Sequence, residues 1–136
     1  MITDRISDTL VRVKNASNIK NKFVLIPYTK LNFQILNSLK NEKLISNFEI
    51  TRIKKVLYFN VELEYKIENS IVYSFIKDIK RISKPSLRVY VKAKHLKNLF
   101  YSRETYFIST SKGILTNKVA YKKNIGGELL FSIYLN

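Results

Sequence analysis

The sequence predicts an α+β protein of two small lobes. The N-terminal lobe runs helix-strand-helix-strand-strand over residues 1–68, and the C-terminal lobe, over 69–136, is mostly antiparallel β with a short helix. Three observations lead there. Helical apolar spacing marks the first segment and again the segment after Pro27, whereas a strict period of two runs from Val56 to Lys66. The polar segment Lys66 to Ser70 then interrupts the chain, and short β-rich runs follow it. A length of 136 residues suits one domain or two small lobes, and 46% hydrophobic residues are enough to bury a core rather than leave a basic tail disordered.

The first helix is expected from Thr3 to Asn15. Ile2, Ile6, Leu10 and Val13 recur on one side, Thr3 serves as N-cap, and Asp4 sits at the positive end of the helix dipole. Asp8 and Arg12 are spaced i,i+4, so they can pair on the wet face. After a polar linker through Asn18 and Asn21, Phe23-Val24-Leu25-Ile26 reads as a short strand closed by Pro27, which lacks an N–H donor. Thr29 can cap a second helix whose stripe is Leu31, Ile35, Leu36 and Leu39, with Lys40 and Lys43 at its negative end. Strands follow over Phe48 to Ile53 and Val56 to Lys66, joined at Lys54-Lys55. In the second, Leu57, Phe59, Val61, Leu63 and Tyr65 face inward.

Beyond the polar segment, Ile71 to Ile76 and Ile79 to Ile82 are β-rich, and Ser83-Lys84-Pro85-Ser86 punctuates the chain. In Leu87-Arg88-Val89-Tyr90-Val91-Lys92 the period of two turns Leu87, Val89 and Val91 inward and leaves Arg88, Tyr90 and Lys92 on the other face. Ala93 to Phe100 is expected to make a helical turn with Leu96, Leu99 and Phe100 inward. Thr105 to Ser109 is strand-like, Thr116 caps a short helix Asn117 to Lys123, Asn124 ends it in the left-handed conformation, and Leu129 to Leu135 is the last strand.

Charge narrows the partner. The formal charge is +15, from 25 basic and 10 acidic residues, which calls for a polyanion, nucleic acid foremost. The imbalance is greater in the second half, where residues 70–136 carry 13 Lys/Arg against 3 Asp/Glu. Absence of cysteine excludes disulfides and thiolate metal sites, and a single His leaves no ordinary zinc site. No apolar run approaches the ~20 residues of a membrane span. Met1-Ile2-Thr3-Asp4-Arg5 does not read as a signal or transit peptide, since the helix pattern begins at once.

The densest polar constellation is Ser109-Thr110-Ser111-Lys112-Gly113, followed by Ile125-Gly126-Gly127-Glu128. Three hydroxyls, a lysine and a glycine suit a polar partner better than a core. Ser109-Thr110-Ser111-Lys112 formally matches S-x-x-K, yet the companion S-D-N and K-T-G patterns are missing, and Lys112-Gly113 lacks the G-x-x-x-x-G frame of a phosphate loop. Asp4 with Asp8, and Glu62 with Glu64, are better explained by helix pairing and a wet strand face than by acid/base chemistry. His95, between Lys94 and Lys97, reads as a surface residue. Hydroxyl donors can read 2′-hydroxyls and unstacked base edges, and Glu128 can accept from base amino groups, so structured RNA fits the chemistry best. Arg88, Tyr90 and Lys92 suit phosphate contact and stacking, and the same charges can protect an edge strand, neither reading excluding the other. Gly126 and Gly127 allow close backbone approach or supply a turn.

These residues carry a resemblance. Ser109 to Gly113, then Thr116, Lys118, Ala120, Lys122-Lys123 and Gly126-Gly127-Glu128, closely resemble the C-terminal signature of the eighth protein of the bacterial-type small ribosomal subunit. Ile6-Ser7-Asp8-Thr9-Leu10 through Arg12-Val13-Lys14-Asn15-Ala16 is similar to that family's opening helix. Lys80-Arg81-Ile82-Ser83-Lys84-Pro85 with Leu87 to Val91 is similar to its central strand signature. The resemblance spans the whole chain. It implies a non-enzymatic structural constituent of the small subunit, without cofactor, metal or small-molecule substrate, that binds the central domain of small-subunit ribosomal RNA mainly through its C-terminal lobe and supports assembly and translation. Its partners would be that RNA and neighbouring small-subunit proteins, with no membrane. By motif position it assigns RNA contact to Tyr90, Ser109, Thr110, Ser111, Lys112 and Glu128, backbone contact to Lys84 and Arg88, and N-lobe contact to Arg12, Lys14 and Asn15. The alternative is a generic basic nucleic-acid-binding module outside the ribosome.

Three positions depart from the family pattern. Ser86 and Asn124 stand where glycine is usual, and Phe100-Tyr101-Ser102-Arg103-Glu104 replaces a glycine-containing segment. Abundant Lys, Asn, Ile, Tyr and Phe with only 3 Gly is the bias of A/T-rich codons. Together with the missing presequence, it leads to an expected site on ribosomes of the plastid stroma, ahead of the cytoplasm of an A/T-rich bacterium.

Overall fold

The structure is a computed structural model and describes residues 4–136. Ile2 and the expected N-cap Thr3 lie outside the described residues. The chain forms two compact units, Arg5–Ile76 with Asn136, and Lys77–Leu135 with Asp4. The division falls between Ile76 and Lys77, whereas the sequence placed it at residues 68 and 69.

In the first unit α1 (Arg5–Asn18) and α2 (Lys30–Asn41) pack on an antiparallel sheet of β1 (Phe23–Pro27), β2 (Ile45–Ile53) and β3 (Val56–Leu63), in the order β1-β3-β2. The α1 stripe Ile6, Leu10, Val13 and Ala16 is buried, as are Ile35, Leu36 and Leu39 of α2. Each of these Ile, Leu and Val side chains contributes roughly 1.5–3 kcal/mol, Ala16 less. Thr29 Oγ1 accepts from the Asn32 N–H at 3.1 Å and so caps α2 as expected. Lys54 and Lys55 both take positive φ, 49° and 67°, the geometry a tight hairpin between twisted strands requires. Phe33, Phe48 and Phe59 form an aromatic cluster with centroid separations of 5.5–6.3 Å.

The expected strand Val56 to Lys66 is too long by one element. Phe23 pairs with Glu62 and Ile45 with Leu63, so neither neighbour extends beyond that point. The chain leaves that sheet at Glu64, whose N–H makes a last bond to the Leu44 carbonyl at 3.4 Å, and β4 (Tyr65–Glu68) pairs instead with β5 (Ile71–Ser74). The polar segment read as a boundary therefore holds a hairpin turn, with Asn69 and Ser70 at φ 52° and 65°.

In the second unit β10 (Gly127–Leu135) is central. The order is β6-β10-β8-β9, where β6 is Ile76–Arg81, β8 Glu104–Thr110 and β9 Gly113–Thr116, and the short β7 (Tyr90–Val91) also pairs with β10. A 3-10 helix (Ala93–Tyr101) and α3 (Asn117–Lys123) pack against each other, and Leu96, Ile108, Ala120 and Leu129 form a buried cluster that Val89, Val91, Leu99 and Leu115 border. Phe107 and Phe131 lie opposite each other in register and stack at 4.7 Å. The register slips between Leu129 and Phe131, leaving Leu130 as the extra residue, whose carbonyl accepts from Arg81 Nη1 and from the Ile82 N–H.

Two inward assignments change here. Leu87 is 68% exposed, because Lys84 and Leu87 close a turn on each other and only Tyr90 and Val91 join the sheet. Phe100 is 40% exposed and sets its ring edge-on to Tyr121 at 5.2 Å. Thr116 caps α3 and Asn124 ends it at φ 55°, taking the left-handed position that glycine usually fills. Ser86 is not among the residues with positive φ, so glycine is dispensable there.

Candidate nucleic-acid interface

Register brings the singled-out residues together at one end of the second sheet. Glu128 of β10 lies directly opposite Tyr90 of β7 on one side and Ser109 of β8 on the other. Residues paired across antiparallel strands point to the same face, so ring, carboxylate and hydroxyl form a row. The neighbouring positions Val91, Ile108 and Leu129 point to the opposite face, into the cluster around Leu96 and Ala120. Alternation thus commits one face to packing and leaves the other for a partner.

The glycines make the row possible. A Cβ on Gly127 would sit 2.1 Å from the Ser109 carbonyl oxygen, and one on Gly126 would sit 2.4 Å from that of Val91. Close approach of the chain's own strands, rather than a turn, is what these positions require.

The segment Ser109 to Gly113 is more ordered than a flexible loop. Ser109 and Thr110 end β8, Ser111 and Lys112 form the turn, and Gly113 opens β9 at φ 97°. Thr110 donates its hydroxyl to the Gly113 carbonyl at 2.7 Å and accepts from the Lys112 N–H at 3.1 Å. That hydroxyl holds the turn. Ser111 and Lys112 are exposed, and their side chains, like those of Ser109 and of Tyr90 at 70% exposure, make no hydrogen bond to other described residues.

Glu128 is held from behind. Ser83, fully buried, donates to Glu128 Oε2, and Arg88 Nη1 reaches the same oxygen at 3.0 Å. Oε1 has no partner among the described residues and is not buried, so it is available as an acceptor. Burial alone would raise the Glu128 carboxyl. The hydrogen bonds from Ser83 and Arg88, with the charges of Arg88 and Arg81, outweigh it and hold the carboxyl below its ordinary range. It is therefore ionised at neutral pH. Arg88 beside it remains exposed at 48% of its side chain, and Lys84 is exposed in the turn that follows Ser83.

Sequence reasoning missed Ser83. It stood inside a matched motif, but nothing in its type or spacing marks a buried serine whose partner lies 45 residues away. Glu104 was likewise unremarked: it accepts from Tyr106 Oη at 2.7 Å, Ser132 Oγ at 3.0 Å and Ser102 Oγ at 3.2 Å. The acid/base pairs set aside above are engaged elsewhere. Asp4 pairs with Arg81 at 3.1 Å, Asp8 with Arg12 at 3.4 Å and Glu62 with Lys22 at 3.9 Å, while Glu64 accepts from Ser46.

Arg12, Lys14 and Asn15 belong to α1 in the other unit. Arg12 divides its guanidinium between Asp8 and the Leu25 carbonyl, at 3.4 Å each, and Asn15 is exposed. No helix among the described residues is long and apolar enough to cross a membrane.

A basic α+β chain that sets an aromatic ring, unpartnered hydroxyls, cations and one oriented carboxylate on the free face of a sheet has the makings of a binding protein for a polar, anionic partner. Comparison with known proteins carries this further. A family model described as Ribosomal protein S8 matches residues 4–134, and the chain belongs to that family, a family of non-enzymatic structural components. It is similar to "Small ribosomal subunit protein uS8c" of Bigelowiella natans, 44% identical over 136 residues covering 98% of this chain and 100% of that protein. It is also similar to "Small ribosomal subunit protein uS8" of Mycoplasmopsis agalactiae, 47% identical over 133 residues, and of Chlorobaculum tepidum, 38% over 133 residues, each covering 98% of both chains.

Proposed function

We propose that this protein is a structural constituent of the small ribosomal subunit that binds the central domain of small-subunit ribosomal RNA directly, through the C-terminal unit, and supports assembly and translation. Neighbouring small-subunit proteins are its other partners. The observation that supports this reading is the row Tyr90, Glu128, Ser109 beside the exposed Ser111-Lys112 turn. Phosphate attraction alone needs no carboxylate, and a carboxylate on such a surface is repelled by phosphate. An ionised Glu128 with one free oxygen makes sense as a directional acceptor for a base amino group, while the serines offer partners to 2′-hydroxyls and base edges. Tyr90 supplies a stacking surface. Lys84, Arg88 and Lys112 neutralise phosphates, and Arg12, Lys14 and Asn15 add contacts from α1.

The test is a competition at fixed salt between a central-domain ribosomal RNA fragment and duplex DNA. The expected result is strong preference for the RNA; equal affinity would establish the generic basic module instead. For location, the A/T-type composition and the similarity to a uS8c protein favour a plastid ribosome over that of an A/T-rich bacterium.

A further inference from the structure

We infer that Ser83 is a positioning residue for the interface: its buried hydroxyl orients the Glu128 carboxylate and thereby decides which oxygen that carboxylate presents to a partner. The inference rests on the proposed RNA-binding role of this face. Ser83 lies at the base of the Lys84–Leu87 turn, where the Lys84 and Leu87 backbones exchange hydrogen bonds of 2.9 and 3.0 Å. Its backbone N–H is fixed on the Leu129 carbonyl at 3.1 Å. Its hydroxyl accepts from the Val89 N–H at 3.1 Å and donates to Glu128 Oε2. A hydroxyl has one proton to donate, so once the Val89 N–H occupies an acceptor site the proton is directed at Glu128.

Consequences run in two directions. Toward the sheet, Val89 is held where its carbonyl accepts from the Leu129 N–H at 2.9 Å, which sets Tyr90 opposite Glu128. Toward the partner, Ser83 and Arg88 both claim Oε2, so Oε1 is left free in a fixed direction. Arg88 alone cannot do this. It is half-exposed on a flexible stem, and an exposed ion pair constrains geometry weakly, whereas Ser83 is fully buried and backbone-anchored.

The experiment is a double-mutant cycle of Ser83→Ala with Glu128→Gln on the full chain, titrated with both the RNA fragment and duplex DNA. Ser83→Ala should lower the RNA-over-DNA preference about tenfold while leaving the salt slope unchanged, since no charge is removed. In the Glu128→Gln background the same substitution should change preference less than twofold. Equal losses in both backgrounds would overturn the inference, because a merely structural defect does not depend on Glu128. Ser83→Cys, similar in volume but a poor donor, should behave as Ser83→Ala and serves if the alanine variant folds poorly.

Carbon-13 titration of the Glu128 carboxyl in the free protein separates the two readings. The charged groups facing it are Arg88 and Arg81, which both variants keep. Its midpoint should rise in Ser83→Ala, and an unmoved midpoint overturns the positioning role whatever the nucleic acid preference. Loss of RNA preference in the wild type, with the midpoint still moving, would instead refute only the ribosomal reading.

Discussion

Replacing Gly127 by alanine should open the sheet beneath the candidate interface. The added Cβ would lie 2.1 Å from the Ser109 carbonyl oxygen, 3.0 Å from its carbon and 3.1 Å from Ile108 Cγ2. Separations below 3.0 Å are essentially never seen, so β8 must retreat from β10 by about 0.9 Å. The obstacle is backbone, which cannot swing aside as a side chain does. Overpacking of this kind costs about 1–3 kcal/mol, and a stretched ladder bond adds about 1 kcal/mol. A loss of about 3 kcal/mol lowers Tm by roughly 10 °C in a chain of this size. The retreat also parts Ser109 from Glu128, so RNA affinity should fall further than the folded fraction does. Thermal unfolding by circular dichroism, with RNA titration well below the variant's Tm, measures both. A Tm within about 2 °C of wild type would refute the close-approach account of this glycine.

Further outcomes are expected at other positions. Ser111→Ala, at an exposed hydroxyl with no internal partner, should leave stability unchanged and weaken binding of the RNA fragment by about 1–3 kcal/mol; unaltered affinity would remove Ser111 from the interface. Lys123→Ala should reduce the salt slope by at most about one unit without base selectivity, which titrations at several salt concentrations reveal. Thr29→Ala should destabilise the protein by about 0.5–2 kcal/mol in urea unfolding, since the Asn32 N–H loses its cap.

Acid should also weaken the fold. Glu104 and Glu128 both have carboxyls below their ordinary range, after hydrogen bonds from Tyr106, Ser132 and Ser102 in the first case, and from Ser83 and Arg88 in the second, outweigh burial. The unfolded chain then takes up protons before the folded one. Their stabilisation is complete above the ordinary carboxylate range and is lost as pH falls through the lower folded values. Urea unfolding between neutral and strongly acid pH should show this, and Glu104→Gln with Glu128→Gln should flatten the acid limb. An acid limb as steep as wild type's would contradict the assignment.

Local rules carried the sequence reading a long way. Thr29 and Thr116 cap helices, Asn124 closes one, and Lys54-Lys55 turns a hairpin, because each effect depends on residues within about four positions. The reading failed where the outcome depended on distant strands. Period-two alternation continues through Tyr65, but β3 stops at Leu63 since its neighbours stop there. Leu87 obeys the alternation and is nonetheless exposed, because a turn intervenes before the strand reaches β10.

The candidate site divides in the same way. Composition and motif marked Ser109 to Lys112, Tyr90 and Glu128 as polar or aromatic residues suited to a partner, since side-chain chemistry is carried by each residue alone. Tertiary structure decided that Tyr90, Glu128 and Ser109 stand in one row, that Thr110 spends its hydroxyl on a turn, and that buried Ser83 takes one oxygen of Glu128 and leaves the other free. The reason is physical. Donor and acceptor capacity belongs to a residue, but which partner satisfies it is set by strand register, and register is fixed by pairings between segments far apart in the chain.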